Sequence, residues 1–346
     1  MEFLANAFSD VQAWLFESLI QPLMFNLGMG NLLVDGYTAT GWLLVGLMQL
    51  VVLVAIIGPL QRWRPVERVT DRAAVRTDML YTVIHRLGLF RVALFFSLDS
   101  LFDQLFGVLR VAGLSTFQLD GVWPGVTDQA VVSLVIYLVV IDLLNYGIHR
   151  SQHRFGWWWK LHSLHHSQRQ MTMWTDNRNH LLDDVIRDVI VVVVAQLIGI
   201  GPSQFVTIVA LTQLSESFQH ANVRIWFGRW GERLWISPRF HRLHHSVGIG
   251  HESPLRDTQL SAGPPQGKLA PAGSGAVHEV TRVGVGLGGH NFGVLLPWWD
   301  MLFGTANFEL RYDATGVRDQ VERGRDYGRG FWAQQWLGFR RLAGRA

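Results

Sequence analysis

The 346-residue chain has no cysteine, so disulfides and thiolate metal sites are excluded and any bound metal must be held by nitrogen and oxygen donors. Charge is also scarce. Asp, Glu, Lys and Arg make up 16% of the residues against 49% apolar ones, and fifteen tryptophans accompany them, a balance rich in apolar and interfacial side chains for a soluble enzyme. The net charge of +3 is small, and the arginines are scattered among apolar spans with no basic-aromatic pattern. They read as topological signals, and nucleic acid is not expected as a partner. No dinucleotide-binding unit, no fused haem domain and no His-Glu-x-x-His helix can be read from the chain. The N-terminal apolar stretch has neither a positive lead nor a clear cleavage site and is not expected to be a signal peptide.

What the chain does have is histidine. Ten of its fourteen histidines fall between residues 149 and 245. His149 and His153 stand four apart; His162, His165 and His166 form a His-x-x-His-His set that His241, His244 and His245 repeat; His180 and His220 lie between. Residues three and four apart share a helix face, so each set can aim its imidazoles at a common point. A lone histidine is ordinarily a satisfied core or surface residue. Three clusters differ, because imidazolium ions repel and crowded neutral rings need partners, whereas neutral imidazole is a common ligand for zinc, copper, iron and nickel. Metal binding is expected.

Along the chain, residues 1–40 read as an interfacial helix or short span interrupted by Asp10, Glu17 and Gln21. Trp42–Leu60 is uncharged and close to the roughly 20 residues that cross a bilayer. Arg62, Arg64, Arg68, Arg72 and Arg76 follow it and predict a cytoplasmic loop. A second span is expected at Met79–Leu101, containing His85, Arg86 and Arg91, and a third at Ala130–Leu144, which returns the chain to the face of the arginine loop and delivers His149 and His153 there. Val185–Ile200 and Phe205–Leu214, separated by Gly199-Ile-Gly-Pro202, predict a helical membrane hairpin. Residues 253–289 read as a flexible insertion rich in Gly, Pro, Ala and Ser. Large apolar residues return at 290–305, and the arginine-rich tail 306–346 is expected at the membrane surface or as a solvated helix. The expected organisation is thus 1–148 membrane segment, 149–305 histidine-rich region and 306–346 tail.

His149-x-x-x-His153, His162-x-x-His165-His166 and His241-x-x-His244-His245 occur in that order, with Asp142 and Asn145 before the first set. Phe218-Gln-His220-Ala-Asn222 precedes the third, and Trp299-Asp300-x-x-Phe303-Gly304-Thr305 follows it. This pattern resembles the fatty acid hydroxylase and sterol desaturase superfamily, with the bacterial and alkylglycerol monooxygenase branches the most similar. The resemblance implies an all-α, polytopic membrane protein with a cytosolic histidine-rich cap. That cap would hold two non-haem irons, which use dioxygen to hydroxylate or desaturate a lipid such as a sterol, fatty acyl chain or ether lipid. It assigns His149, His153, His162, His165, His166, His220, His241, His244 and His245 as ligands. His180 and Glu216 are further candidates, Glu216 standing where some members have a histidine.

The residues themselves leave other classes open. A zinc-dependent membrane hydrolase is the first alternative, although it lacks the usual general base; a haem protein or metal carrier leaves the triplets or the apolar spans unexplained. Asp142, Asn145, Asp183, Asp184, Asn222 and Asp300 are candidate acceptors for imidazole N–H groups. Trp157, Trp158 and Trp159 resemble an interfacial aromatic belt. Electrons must come from a separate donor, a cytochrome, ferredoxin or reductase. Because 28 of the 30 basic residues are arginine, the genome reads as GC-rich and the location as a bacterial inner membrane.

Overall fold

The computed structural model describes residues 2–89, 100–114, 116–247 and 289–346. Among the described residues there are helices and a single isolated bridge, Ser246 to Thr315, and no strand, in agreement with the all-α expectation. The chain forms two compact units, Met1–Ile56 with Thr82–Ser115, and Ile57–Tyr81 with Thr116–Ala346.

The first unit contains α1 (Glu2–Leu15) and most of α2 (Gly30–Trp63). Gln12 Nε2 donates to the Tyr37 carbonyl at 2.9 Å, and the Phe16 and Tyr37 rings meet edge to face at 5.4 Å. The helix α2 begins well before the expected Trp42. Thr38 and Thr40 do not interrupt it because their hydroxyls bond the carbonyls of Val34 and Gly36 one turn back. Pro59 lies near its other end, where a missing N–H and a ring clash would break a regular ladder; a π turn at Leu53–Ile57 immediately upstream absorbs it. At Gly46 the Arg86 carbonyl approaches so closely that any side chain would strike it. Arg86, from α3 (Arg72–Arg86), donates to Gln49 Oε1 at 3.2 Å, which gives this cation a polar partner among apolar helices. Of the expected second span, residues 90–99 lie outside the described residues, and α4 (Ser100–Val111) follows them.

The second unit is built on α5 (Ala130–Arg154). Asp142, Asn145, His149, Gln152 and His153 form a buried stripe at helical spacing, while Val131, Val132, Val135 and Leu143 are exposed. A helix that is polar inside and apolar outside suits lipid surroundings. It continues ten residues beyond the expected end at Leu144. Among the described residues, α2 and α5 are the helices long and apolar enough to cross a membrane.

The remaining helices of this unit are α6 (Gly156–His166), α7 (Leu181–Leu197), α8 (Pro202–Gln219), α9 (Pro238–His244), α10 (Trp298–Leu302), α11 (Arg318–Arg323) and α12 (Phe331–Leu342). The helices α7 and α8 form a hairpin. Gly199 turns the chain at φ 77°, a left-handed conformation that glycine adopts freely, and Pro202 starts α8 where no N–H is needed. Tyr137 OH donates to the carbonyls of Ile198 and Gly199, and Tyr137, Ile141 and Ile208 fill this end of the α5–α7–α8 layer. The tail is not merely a surface segment: α12 buries Phe331, Gln335 and Arg341, with Arg341 Nε donating to the Lys160 carbonyl at 3.2 Å, and turns Trp332 and Trp336 outward. The expected insertion, Gly289 excepted, lies outside the described residues, as do His251 and His278.

Candidate metal centre

Each histidine set is delivered by a helix end. The last turns of α5 carry His149 and His153, α6 carries His162, His165 and His166, His220 follows α8, and α9 with its terminal residue carries His241, His244 and His245. The helix α9 has only seven residues and could not persist alone. Ser237 Oγ caps it by accepting from Phe240 N at 3.1 Å and Pro238 begins it, while Glu232 receives Arg239 Nη2 at 2.7 Å and the Ser237 hydroxyl at 2.8 Å.

All nine residues assigned by pattern converge in this unit. His149, His153, His162 and His166 form one buried tetrad, and His165, His220, His241 and His245 another. In each, one ring nitrogen per residue lies within 4.8 Å of the others. His244 joins His166 and His245 in a third group, and its ring lies 4.4 Å from that of His149. In the second tetrad the Nε2 atoms approach closely: 3.1 Å from His165 to His220, 3.0 Å from His220 to His241 and 3.1 Å from His241 to His245.

The hydrogen bonds decide which nitrogens face inward. His162 Nδ1 donates to Asp183 Oδ2 at 3.1 Å, His149 Nδ1 to the Phe292 carbonyl at 2.8 Å, His244 Nδ1 to the His290 carbonyl at 2.8 Å and His220 Nδ1 to the Glu216 carbonyl at 2.7 Å. A neutral imidazole has one N–H, so in these four the Nε2 lone pair points into the cluster. Nε2 of His162, His166 and His244 has no protein partner although it is buried. Buried acceptors without donors are costly, and converging lone pairs fixed by outer hydrogen bonds are the arrangement that holds a cation. The donor set therefore fits a metal that accepts imidazole nitrogen.

Burial, and after it the neighbouring rings, lowers the pKa of His165, His166, His241 and His245 well below 6.5. Burial takes His220 down to about 4 and His244 to about 3. These six rings are thus neutral at physiological pH, as ligation requires. Burial alone would raise the Asp183 carboxyl, but the bonds from His162, Gln152 and Trp158 hold it below its ordinary value.

Several candidates have other roles. His180 is fully buried but outside the clusters: Nδ1 accepts from Leu182 N as the cap of α7, and Nε2 donates to the Gln335 carbonyl at 2.9 Å. Glu216 does not join the clustered groups and faces Arg187, Oε1 to Nη2, at 3.4 Å. Asp142 and Asp300 touch no imidazole. Asp142 accepts from the N–H groups of Leu295 and Leu296 and from Trp299 Nε1, and Asp300 from the N–H groups of Phe292 and Gly293. They hold the loop whose carbonyls orient His149 and His244. Between those carbonyls Asn291 sits at φ 62°, tolerable for asparagine, with its side chain bonded to Phe240 O and to Asn307. Asn222 ties down residues 66 and 67. Of the three tryptophans only Trp157 is exposed; Trp158 donates to Asp183 at 2.6 Å and Trp159 packs on His153 and His166, so they do not form a belt.

Replacing Asp183 by Asn preserves size but presents an amide where His162 needs an acceptor. Metal affinity in a chelator competition should fall roughly 10- to 100-fold; an unchanged affinity would mean that packing alone orients His162.

A family model described as fatty acid hydroxylase matches residues 134–253, which include all nine clustered histidines. The ornithine lipid hydroxylase OlsE of Rhizobium tropici is 24% identical over 275 residues, covering 78% of this chain and 70% of that protein. No solved structure matches the chain.

Proposed function

Since the chain belongs to the fatty acid hydroxylase and sterol desaturase superfamily and is an oxidoreductase, we propose that it is a membrane di-iron oxygenase that hydroxylates a C–H bond of a lipid. The observation that carries the reading is the pair of buried imidazole tetrads with a further imidazole beside them. Nine imidazole nitrogen donors suit two iron ions, which would supply dioxygen activation when bound. His149, His153, His162, His166 and His244 would hold one, and His165, His220, His241 and His245 the other. An all-imidazole cage adds no negative charge and leaves the ions Lewis acidic. Asp183 and the carbonyls of residues 216, 290 and 292 keep the ring N–H groups occupied and the lone pairs inward.

The overall change inserts one atom of dioxygen into C–H and releases the other as water, with two electrons and two protons drawn from a separate cytochrome, ferredoxin or reductase. Hydroxylation is favoured over desaturation by the relative's name, and nothing in the comparisons favours the hydrolase alternative. Ornithine lipid is the first substrate to examine. Lipid profiling of cells with and without the protein tests the reading: the expected product gains one oxygen, whereas a loss of two hydrogens would make the enzyme a desaturase.

The organisation 1–148, 149–305 and 306–346 and a multi-pass location in the bacterial inner membrane complete the proposal. Reporters fused after Arg76 and after Ser167 should then give the same, cytoplasmic signal. Opposite signals would break this topology.

A further inference from the structure

The helix α12 reverses the order expected of a helix that faces water. A surface helix of a soluble protein turns its apolar stripe to the core and its polar side chains outward. In α12 the buried side chains, Phe331 apart, are polar: Gln334, Gln335 and Arg341. Gln335 accepts from Leu181 N and donates to Tyr81 OH, each at 2.9 Å, so the polar side is engaged inside the protein. Outward stand Trp332, 80% exposed, Trp336, 65% exposed, Phe339 and Ala343. They recur at steps of four, three and four residues and so form one stripe along the helix.

Charge on the same helix indicates what covers the stripe. From Tyr327 to Ala346 the chain has four arginines and no acidic residue. Arg341 is buried, whereas Arg329, Arg340 and Arg345 are exposed. Trp336, Phe339, Arg340, Ala343 and Arg345 line one groove of about 410 Å³, so the aromatic stripe and two guanidinium groups share a face. Indole and phenyl rings with cations beside them match a surface that offers hydrocarbon just beneath negative charge, which is the headgroup layer of an anionic membrane. An acidic protein surface would answer the arginines but set its carboxylates against uncharged rings.

Length and place agree. Twelve residues extend about 18 Å, short of the roughly 30 Å of a hydrocarbon core, so α12 can lie on a bilayer but cannot cross it. Its Arg341 Nε donates to the Lys160 carbonyl of α6, and α6 begins two residues after the end of α5, a helix apolar enough to span. Phe155 and Trp157, at that turn, are exposed as well. The helix α12 is therefore held near the level at which α5 would leave the hydrocarbon.

We propose that the outer face of α12 is a docking surface for anionic phospholipid. The helix lies flat in the headgroup layer, Trp332, Trp336 and Phe339 enter the top of the hydrocarbon, and Arg340 and Arg345 meet the lipid phosphates. This contact is separate from the histidine site and does not depend on which lipid that site oxidises.

The test uses the full chain, metal-loaded, in nanodiscs. Because the chain has no cysteine, Ala343→Cys offers a single attachment point for an environment-sensitive fluorophore, and Glu322→Cys, exposed on α11, supplies the control. Discs of phosphatidylcholine alone are compared with discs containing increasing shares of phosphatidylglycerol. The label at 343 should shift its emission to the blue and be quenched by lipids brominated near the top of the acyl chain, more strongly as the anionic share rises. The label at 322 should stay water-like. Arg340→Gln and Arg345→Gln, each with bound metal verified, should lower the ratio of lipid-like to water-like lifetime amplitudes at 343 roughly fivefold, the effect of one arginine at an anionic surface.

A label at 343 that stays water-like in anionic discs overturns the proposal. Lipid contact that is equal in phosphatidylcholine alone and indifferent to both substitutions overturns it too. Shielding that rises with the number of copies per disc, and not with lipid charge, would assign the face to a second copy of the chain. None of these results bears on the hydroxylase reading, because turnover is not measured.

Discussion

Alanine in place of His165 or His244 should abolish turnover and lower bound metal while the helices stay folded. The two residues test different parts of the centre. His165 closes the second tetrad, with Nε2 at 3.1 Å from His220, and sits on α6, which also buries Trp158, Leu161 and Leu164. His244 stands against the first, its ring 4.4 Å from that of His149 and 4.6 Å from that of His153. Removing an imidazole leaves a gap that no neighbouring donor fills, so the loss should exceed the roughly 10- to 100-fold typical of deleting an outer hydrogen-bond partner. Metal analysis, circular dichroism and turnover on the same preparations check it. Normal metal and full turnover in either variant would remove that residue from the centre.

Stripping the metal should make the fold acid-sensitive. In the folded chain His220 titrates near 4 and His244 near 3, against 6.5 without burial. Between those values the unfolded chain binds protons that the folded one excludes, so acid favours unfolding. The stabilisation is complete above about pH 6.5, declines as pH falls through the window and is exhausted below the folded values. The remaining clustered histidines outside α5 with lowered values add in the same sense. Metal binds only the deprotonated rings of the folded cage, so the loaded protein should keep its melting temperature to a lower pH than the stripped one. Identical pH profiles for the two would argue that no metal occupies the cage.

The histidine geometry was legible in the sequence because ligands three and four apart need only a helix to share a face, and α5, α6 and α9 provide it. The hairpin was legible for a similar reason, since Gly199 and Pro202 impose local backbone constraints. The orienting groups were not. Three of the four identified acceptors are backbone carbonyls, of Glu216, His290 and Phe292, and a carbonyl is offered by every residue type. Asp142 and Asp300 could be singled out as polar groups worth explaining, but Asp142 accepts from N–H groups of a distant loop and Asp300 from those of the same loop a few residues away, rather than from imidazoles. His180 has the chemistry of a ligand and the position of a helix cap, and only the fold distinguishes the two. The early start of α2 was hidden because threonine hydroxyls can be satisfied within a helix, which hydropathy does not register.

The loop carrying Phe292 and His290 also sets an order of events during synthesis. His149 leaves the ribosome 143 residues before the carbonyl that fixes its tautomer, and His244 leaves 46 residues before its own. A nascent chain that has reached residue 288 already contains all nine clustered imidazoles but lacks the two carbonyls, the Asn291 bend and the Asp300 clamp. Such a chain already holds the partners of His162 and His220 in Asp183 and the Glu216 carbonyl, but His149 and His244 still lack the carbonyls that fix which nitrogen faces the ion. Maturation of the centre is consequently a late step, and metal captured earlier can exchange until the last stretch of polypeptide closes over it.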